Sequence, residues 1–455
     1  MAKLNNILDA IGNTPLVQLK RMVPEGSADV FAKLEFMNPG GSIKDRMARY
    51  IIEDAEKRGE LKSGMIVENT SGNTGVGVAI VAAVKGYKAI FTIPDKMSDE
   101  KINLLKAFGA KVVVTKTNVP AESPESYYET AKRIHRENPG SFYLNQYHNP
   151  KNIEAHYNLT GPEIWKDMEG KIDYFVAGIG TGGTLSGAGK FLKEKDKNIK
   201  IIAVDPYGSV FYDFFKTGKP GKPEVYKVEG IGEDMITQAM DFSVVDDMIQ
   251  VNDRDCFLTG RDLTTKEGIF AGGSSGAAVW GALQFAKKAG PGKRIVVVLP
   301  DSGTRYLSKM FNETWMRDYG FLEERPELGT VQQILDRKNG QEIISAASED
   351  TLHNVIDKMK KFDISQLPVL ESGELIGLIR ESDLLSLMVS GRYSPSHTIK
   401  DAIVREYHMA TRSMPVSRLA ELFSKSSADV VFAVDNRKLV GILTKIDLID
   451  YLAGA

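Results

Sequence analysis

Short apolar runs separated by glycine turns and helical stretches recur along the chain to about Phe321. Val30-Phe31-Ala32-Lys33-Leu34-Glu35 alternates apolar and polar positions, the period of a half-buried strand. Met65–Asn69 and the runs 89–93, 111–115, 174–179, 201–205 and 295–299 are apolar and rich in β-branched residues. Helical stretches, among them 76–85, 185–195 and the small-residue run 277–283, separate most of them. This alternation predicts an α/β fold with mostly parallel sheets covered by helices on both faces.

The pattern changes near residues 320–340. Glu323-Glu324-Arg325-Pro326-Glu327 is charged and broken by proline, and reads as a linker. Two similar units follow. Leu375-Ile376-Gly377-Leu378-Ile379 precedes Asp383-Leu384-Leu385, and Leu439-Val440-Gly441-Ile442-Leu443 precedes Asp447-Leu448-Ile449. Both the glycine pair and the aspartate pair are offset by 64 (441 − 377 and 447 − 383), which marks an internal duplication. Two copies are too few for a solenoid, so they are expected to pack on one another. The expected boundaries are a first domain over 1–320, a linker over 321–340, and modules over 341–395 and 396–455.

Composition narrows this little. The 455 residues are 42% hydrophobic and 26% charged, ordinary for a globular chain. A net charge of −2 shows no nucleic-acid or membrane footprint at whole-chain level. Cys256 is the sole cysteine, so no intrachain disulfide forms, which fits a reducing compartment. No signal-like N-terminal segment and no bilayer-length apolar stretch is visible, so a cytoplasmic protein with no nucleic-acid or membrane partner is expected. No metal site is expected.

The turns carry the chemistry. Pro39-Gly40-Gly41 is followed by Ser42, read as a helix N-cap with Asp45 completing a capping box. That puts Lys44 in the first turn of a helix, where the dipole disfavours an ammonium and favours a neutral, nucleophilic amine. Gly180-Thr181-Gly182-Gly183-Thr184 lies between a strand and a helix, and its successive N–H groups form an anion nest with two hydroxyls added. Thr70-Ser71-Gly72-Asn73-Thr74-Gly75 offers a similar cradle suited to a carboxylate, or a plain helix cap. Gly272-Gly273-Ser274-Ser275-Gly276 opens a further helix, partly for close packing. Gly178 through Gly183 also fits a dinucleotide fingerprint with Asp205 as the ribose acid, but that reading leaves Lys44 and the 71–75 loop unexplained. An amine, a phosphate nest and a carboxylate nest together call for a phosphate-bearing aldehyde cofactor and an amino-acid substrate, which pyridoxal phosphate satisfies.

Gly12-Asn13-Thr14-Pro15-Leu16, the Lys44 motif, 70–75, 180–184 and 272–276, in this order, resemble the β-replacing pyridoxal-phosphate enzymes of the tryptophan-synthase-β fold, which include the cysteine synthases and cystathionine β-synthases. Val228-Glu229-Gly230-Ile231-Gly232 and Leu299-Pro300-Asp301-Ser302 are similar to the latter group, and the duplicated tail resembles a pair of CBS regulatory modules. The resemblance implies a two-subdomain fold-type-II enzyme followed by tandem βαββα-like modules. It implies that Lys44 carries the cofactor as a Schiff base, that Gly180, Thr181, Gly182, Gly183 and Thr184 hold its phosphate, and that Asn73 bonds its ring oxygen. Ser274 would face the pyridine nitrogen. A neutral hydroxyl there makes a weaker electron sink than a carboxylate, favouring β-elimination over transamination. Ser71, Gly72 and Thr74 would hold the substrate carboxylate, with Gln146 and Tyr147 lining the pocket and Glu229 near the second substrate. The implied reaction joins L-serine and L-homocysteine to cystathionine and water, with freed Lys44 as the base at Cα. Cysteine synthesis from O-acetylserine and sulfide is the nearest alternative, and an adenosine-sensing protein with an inert catalytic part is another.

Animal members carry a haem extension with Cys and His ligands. Here Gly12-Asn13-Thr14-Pro15 comes almost at once, the first histidine is His135 and the one cysteine is Cys256, so no haem of that kind is expected. In the tail, Thr444 and Asp447 mark the expected site for S-adenosylmethionine. The equivalent Asp383 is accompanied by Arg380, which would attract a nucleotide phosphate and repel a sulfonium. A module pair used only for assembly is the alternative. Resemblance also implies a homodimer or tetramer.

Overall fold

Among the described residues, ten strands give the first unit its frame. β1 (Leu16–Leu19) and β2 (Asp29–Leu34) come first, then β3 (Met65–Asn69), β4 (Lys88–Pro94), β5 (Lys111–Thr115) and β6 (Phe142–Tyr143). β7 (Tyr174–Gly178), β8 (Lys200–Pro206), β9 (Asp247–Val251) and β10 (Arg294–Leu299) complete the set. They form a six-stranded sheet in the order β1-β2-β10-β7-β8-β9 and a four-stranded sheet in the order β5-β4-β3-β6. Every pairing is parallel except β1 with β2. The structure is a computed structural model and describes residues 3–70, 72–95, 97, 99–116, 119–120, 122–322, 328–338, 343–389, 394–425, 428–435 and 438–454. Its two units are Met1–Leu322 and Glu323–Ala455.

The apolar runs became the inner strands. Along β10, Ile295, Val297 and Leu299 enter one core cluster while Val296 and Val298 enter another, so the larger sheet is buried on both faces. The runs missed from sequence are β1 and β9, the larger sheet's two edges, and the two-residue β6. Gln18 in β1 and Gln250 in β9 interrupt their short apolar runs, so neither carries a continuous apolar signal.

Lys44–Lys57 is a helix, but it does not begin with the expected cap. Ile43, already in the helical region, precedes it with no side-chain cap. Ser42 Oγ still accepts the Lys44 N–H at 3.3 Å, while its backbone is bridged to Asp301, with Ile43 N–H donating to Pro300 O at 2.8 Å and Ser302 N–H to Gly41 O at 3.1 Å. Asp45 reaches back to the Gly40 N–H at 2.5 Å. The Ser42 side-chain bond thus coexists with the pairing to the chain after β10, and only the Asp45 half of the expected capping box is absent, because that carboxylate goes to Gly40.

Behind this helix start lies a buried ionic cluster. Arg46, 2% exposed, forks onto Glu35 (Nε to Oε2 and Nη2 to Oε1, both 2.7 Å) and onto Glu163 (Nη1 to Oε2, 2.7 Å). Lys33, fully buried, reaches Glu163 at 2.6 Å, Asp167 at 2.7 Å and the Thr14 carbonyl at 2.7 Å. Thr14 donates from its hydroxyl to Glu35 at 2.6 Å and from its N–H to Glu163 at 2.8 Å. The Gly12-Asn13-Thr14 motif is therefore scaffolding: it closes the cluster that holds the residue beside Lys44.

The second unit shows the duplication in its backbone. β11 (Ala346–Ala347), β12 (Gln366–Glu371), β13 (Glu374–Arg380), β14 (His408–Ala410), β15 (Val430–Asp435) and β16 (Lys438–Thr444) form one sheet, ordered β11-β12-β13-β16-β15-β14. The two hairpins carry a register irregularity at equivalent places, Val369/Leu370 and Ala433/Val434. Each copy lends its leading helix to the other. Val331, Ile334 and Leu335 of the helix Val331–Arg337 pack in the core of the second copy, while Ile399 and Ala402 pack in that of the first. A Cβ on Gly377 would meet Ile403 at 2.3 Å, and one on Gly441 would meet Leu335 at 2.3 Å. Part of the stretch read as a linker, 331–337, is thus a core element; Glu323-Glu324-Arg325-Pro326-Glu327 lies outside the described residues.

Removing one partner of a buried ion cluster strands the others, so Arg46→Met is expected to lower stability by about 3–5 kcal/mol, measured by denaturant unfolding. Burial opposes ionisation of Glu163, but Arg46 and Lys33 outweigh it and hold its carboxyl at about 2. Between the ordinary 4.5 and that value the unfolded chain binds more protons, so this stabilisation is present above about pH 4.5 and is lost as pH falls toward 2. Glu163→Gln is expected to flatten that slope in acid-unfolding curves.

Candidate active site

The C-terminal ends of the parallel strands converge, where ligands of α/β sheets bind. β2 leads to Lys44, β3 to the 70–75 loop, β7 to the 180–184 loop and β10 to Asp301. A cleft of about 410 Å³ is lined by Lys44, Gly180, Thr181, Gly182, Thr184, Gly230 and Ile231, among others. The amine and the phosphate nest, far apart in sequence, therefore face one space.

Lys44 is the first residue of its helix and half-buried. Loss of solvent lowers its pKa below the usual lysine value, against the opposing charges of Glu233 and Asp301. Glu233 is itself raised to about 8, by burial and then by Asp234. The nest depends on glycine. Gly182 has φ +91°, and a Cβ there would lie 2.6 Å from Met240 Cα.

Asp301 organises the opposite wall. Fully buried, it accepts from Tyr306 Oη at 2.6 Å, Asn73 Nδ2 at 2.8 Å and Ser274 Oγ at 3.5 Å. Asn73 and Ser274, from separate loops, are thus brought to one carboxylate. Thr74 Oγ1 donates to Gln146 Oε1 at 2.6 Å, and Gln146 Nε2 donates to the Asn69 carbonyl at 3.3 Å. Asn152 Nδ2 joins the Gln146 carbonyl (2.9 Å) to Thr181 Oγ1 (3.1 Å), linking the two loops. Tyr147 is buried, its hydroxyl 3.5 Å from that of Tyr127. Gly72 precedes the helix Asn73–Lys85, and Ser71 lies outside the described residues. Glu229, next to the cleft-lining Gly230, lies with Tyr306 and Lys309 along a neighbouring small concavity. Burial works against its charge, but Lys101 and Lys309, both bonded to it, hold its carboxyl below the usual range.

Sequence reading missed Asn152, His156 and Glu233, and left Asp301 without a part. Their roles come from contacts between distant segments, and no local motif announces them. Asp205, the acid of the dinucleotide alternative, is buried and accepts from Tyr212 N–H at 3.0 Å.

In the tail the two equivalent aspartates differ. Asp447 accepts from Thr444 N–H (2.7 Å) and Oγ1 (2.6 Å) on Oδ2, and its Oδ1 pairs with Lys338 at 2.7 Å. Lys338 also donates to the Ile442 carbonyl at 2.9 Å. Asp383 Oδ2 is buried with no hydrogen-bond partner among the described residues, and Arg380 ends the strand before it with its side chain exposed.

A lysine in a cleft with a glycine nest, built on parallel sheets, defines a class, and the chain belongs to it: residues 7–301 match the pyridoxal-phosphate dependent enzyme family. Residues 334–390 and 399–454 match the CBS domain, so the chain is a pyridoxal-phosphate-dependent enzyme with a tandem CBS tail. Relatives named cystathionine beta-synthase align along nearly the whole of it. That of Dictyostelium discoideum is 38% identical over 99% of this chain and 92% of its own, and that of Saccharomyces cerevisiae 34% identical over 99% and 98%. A Staphylococcus aureus cysteine synthase is 47% identical but covers 67% of this chain and 96% of its own. A solved hydrogen sulfide-producing enzyme from Fusobacterium nucleatum matches with TM-score 0.62 and 39% identity, over 67% of this chain and 100% of its own. Among the described residues no helix is long and apolar enough to cross a membrane.

Gly182→Ala places a methyl group against Met240 in a backbone region that disfavours side chains, and is expected to weaken pyridoxal phosphate uptake at least about tenfold, read by absorbance titration of cofactor-stripped protein.

Proposed function

We propose that the first unit replaces the β-hydroxyl of L-serine by the thiol of L-homocysteine, giving cystathionine and water. The observation that carries this is the Lys44 amine, lowered in pKa, sharing its cleft with the 180–184 nest in a chain that aligns end to end with cystathionine beta-synthases. When bound, pyridoxal phosphate supplies the electron sink that acidifies the substrate Cα–H and lets a β-substituent leave. The residues present fit it: a nucleophilic amine, a glycine nest with two hydroxyls, and polar groups on the facing wall.

Lys44 would hold the cofactor through Nζ, and its amine, when free, would take the substrate Cα proton and later return it. Gly180, Thr181, Gly182, Gly183 and Thr184 bind the phosphate. Asn73 and Ser274, both held by Asp301, address the cofactor ring. Ser71, Gly72 and Thr74 take the substrate carboxylate, with Thr74 oriented by Gln146 and with Tyr147 closing the pocket. Glu229, fixed by two lysines, lies toward the second substrate. The scheme uses no haem, and the active form is a cytoplasmic homodimer or tetramer.

Cysteine synthesis from O-acetylserine and sulfide is the second reading, favoured by the higher identity to the staphylococcal enzyme over the first unit. Purified protein offered both substrate pairs is expected to form cystathionine from serine faster than cysteine from O-acetylserine; the reverse order selects the second reading. Lys44→Ala is expected to remove the visible imine absorbance and lower turnover by about 10³-fold or more.

For the tail, the unequal aspartates favour an adenine nucleotide at Arg380 and Asp383 over S-adenosylmethionine at Thr444 and Asp447, where Lys338 already sits as a cation. Calorimetry of the full chain is expected to show heat with AMP or ATP and none with S-adenosylmethionine, while Lys338→Met opens the Asp447 site. No heat with any ligand would leave a pair serving assembly only.

A further inference from the structure

His156 is 1% exposed and begins the π-helical turn His156–Thr160. Both ring nitrogens are engaged: Nδ1 lies 2.9 Å from Thr160 Oγ1, and Nε2 lies 3.2 Å from Thr184 Oγ1. We propose that His156 sets the direction of hydrogen bonding at the anion nest: Nε2–H donates to Thr184 Oγ1, leaving the Thr184 hydroxyl proton to donate to the bound phosphate. This role rests on the cofactor phosphate lying at residues 180–184.

The argument is one of proton inventory. A threonine hydroxyl has a single proton, and a neutral imidazole has one donor and one acceptor nitrogen. If Nε2 accepted, Thr184 would direct its proton away from the cleft and present lone pairs to an anion. If Nε2 donates, Nδ1 must accept, and the buried Thr160 hydroxyl stands at the distance to donate to it. Donation then runs one way, from Thr160 through His156 and Thr184 to the anion, each bond polarising the next. Thr181 is served in the same manner, because Asn152 Nδ2 donates to its Oγ1 and leaves its proton free.

Two features keep the relay in place. His156 stays uncharged, because burial first, and then the charges of Lys44 and Arg46, hold its pKa well below the usual histidine range. An imidazolium would donate from both nitrogens and break the sequence at Thr160. The second is a backbone-to-backbone contact. The helix Gly183–Lys195 lies so close that a Cβ on Gly187 would be 2.2 Å from the Ile153 carbonyl and 2.8 Å from Tyr157 N. The extra residue of a π turn shifts the side chains that follow, a device found at functional sites.

The test uses the full chain stripped of cofactor, with pyridoxal phosphate and inorganic phosphate as separate probes. Thr160→Val, which touches no anion, is expected to weaken both about tenfold, as are His156→Leu and Thr184→Val. His156→Gln keeps a donor toward Thr184 and is expected to bind within about threefold of wild type. Adding Thr184→Val to His156→Leu is expected to cost little more, whereas a purely structural histidine gives additive losses. Phosphorus NMR of bound phosphate is expected to shift with Thr160→Val. Wild-type affinity in His156→Leu and Thr160→Val, or additive losses, overturns the role of His156 alone. Failure of the wild-type chain to bind either probe overturns it together with the proposed cofactor site.

Discussion

The fork of Arg46 onto Glu35 and Glu163 is the constraint on which the catalytic unit depends. Burying charge is costly unless every charge is paired, and here each carboxylate meets a cation and a further donor. The cluster ties the end of β2, the Gly12–Thr14 turn and the Glu163 helix to the residue two places after Lys44. Held this way, the backbone at Lys44 is fixed where the side chain enters the cleft. Positioning within fractions of an ångström is what covalent cofactor chemistry requires of a scaffold.

Around that point the site is assembled from loop ends that share no sequence neighbourhood. Asp301 collects Asn73, Ser274 and Tyr306 on one side. Asn152 and Gln146 join the 70–75 loop to the 180–184 loop on the other. Thr74, Gln146, Asn152 and Thr181 thus form one hydrogen-bonded chain, so a change at either loop has a physical route to the other.

The tail obeys a different logic. Two copies of one unit exchange their leading helices, so neither core is complete without the other, and the pair behaves as one body. Duplication preserves the backbone down to its register irregularities but not the chemistry of the two aspartates. Lys338 stands in the leading segment that one copy lends to the other, so the exchange itself brings a cation onto Asp447. A ligand acts on such a body only through a difference in affinity between its states, and the two sites offer different starting points for it.

The α/β class, the inner strands of the larger sheet, the three glycine loops, the position of Lys44 at a helix start and the duplicated tail were legible in the chain, because each is written in local chemistry: apolar runs, glycine where side chains cannot fit, and repeats at fixed offset. The strands β1, β6 and β9 were not, since β6 is two residues long and polar residues interrupt the short runs of the other two. The expected Ser42–Asp45 capping box kept only its Ser42 half, Asp45 turning to Gly40, and part of the supposed linker proved to be core. Asp301, His156, Asn152 and the Lys338–Asp447 pair were decided only in three dimensions. Their function lies in which distant groups they meet, and a hydrogen bond or ion pair between residues far apart in the chain leaves no trace in the local sequence of either partner.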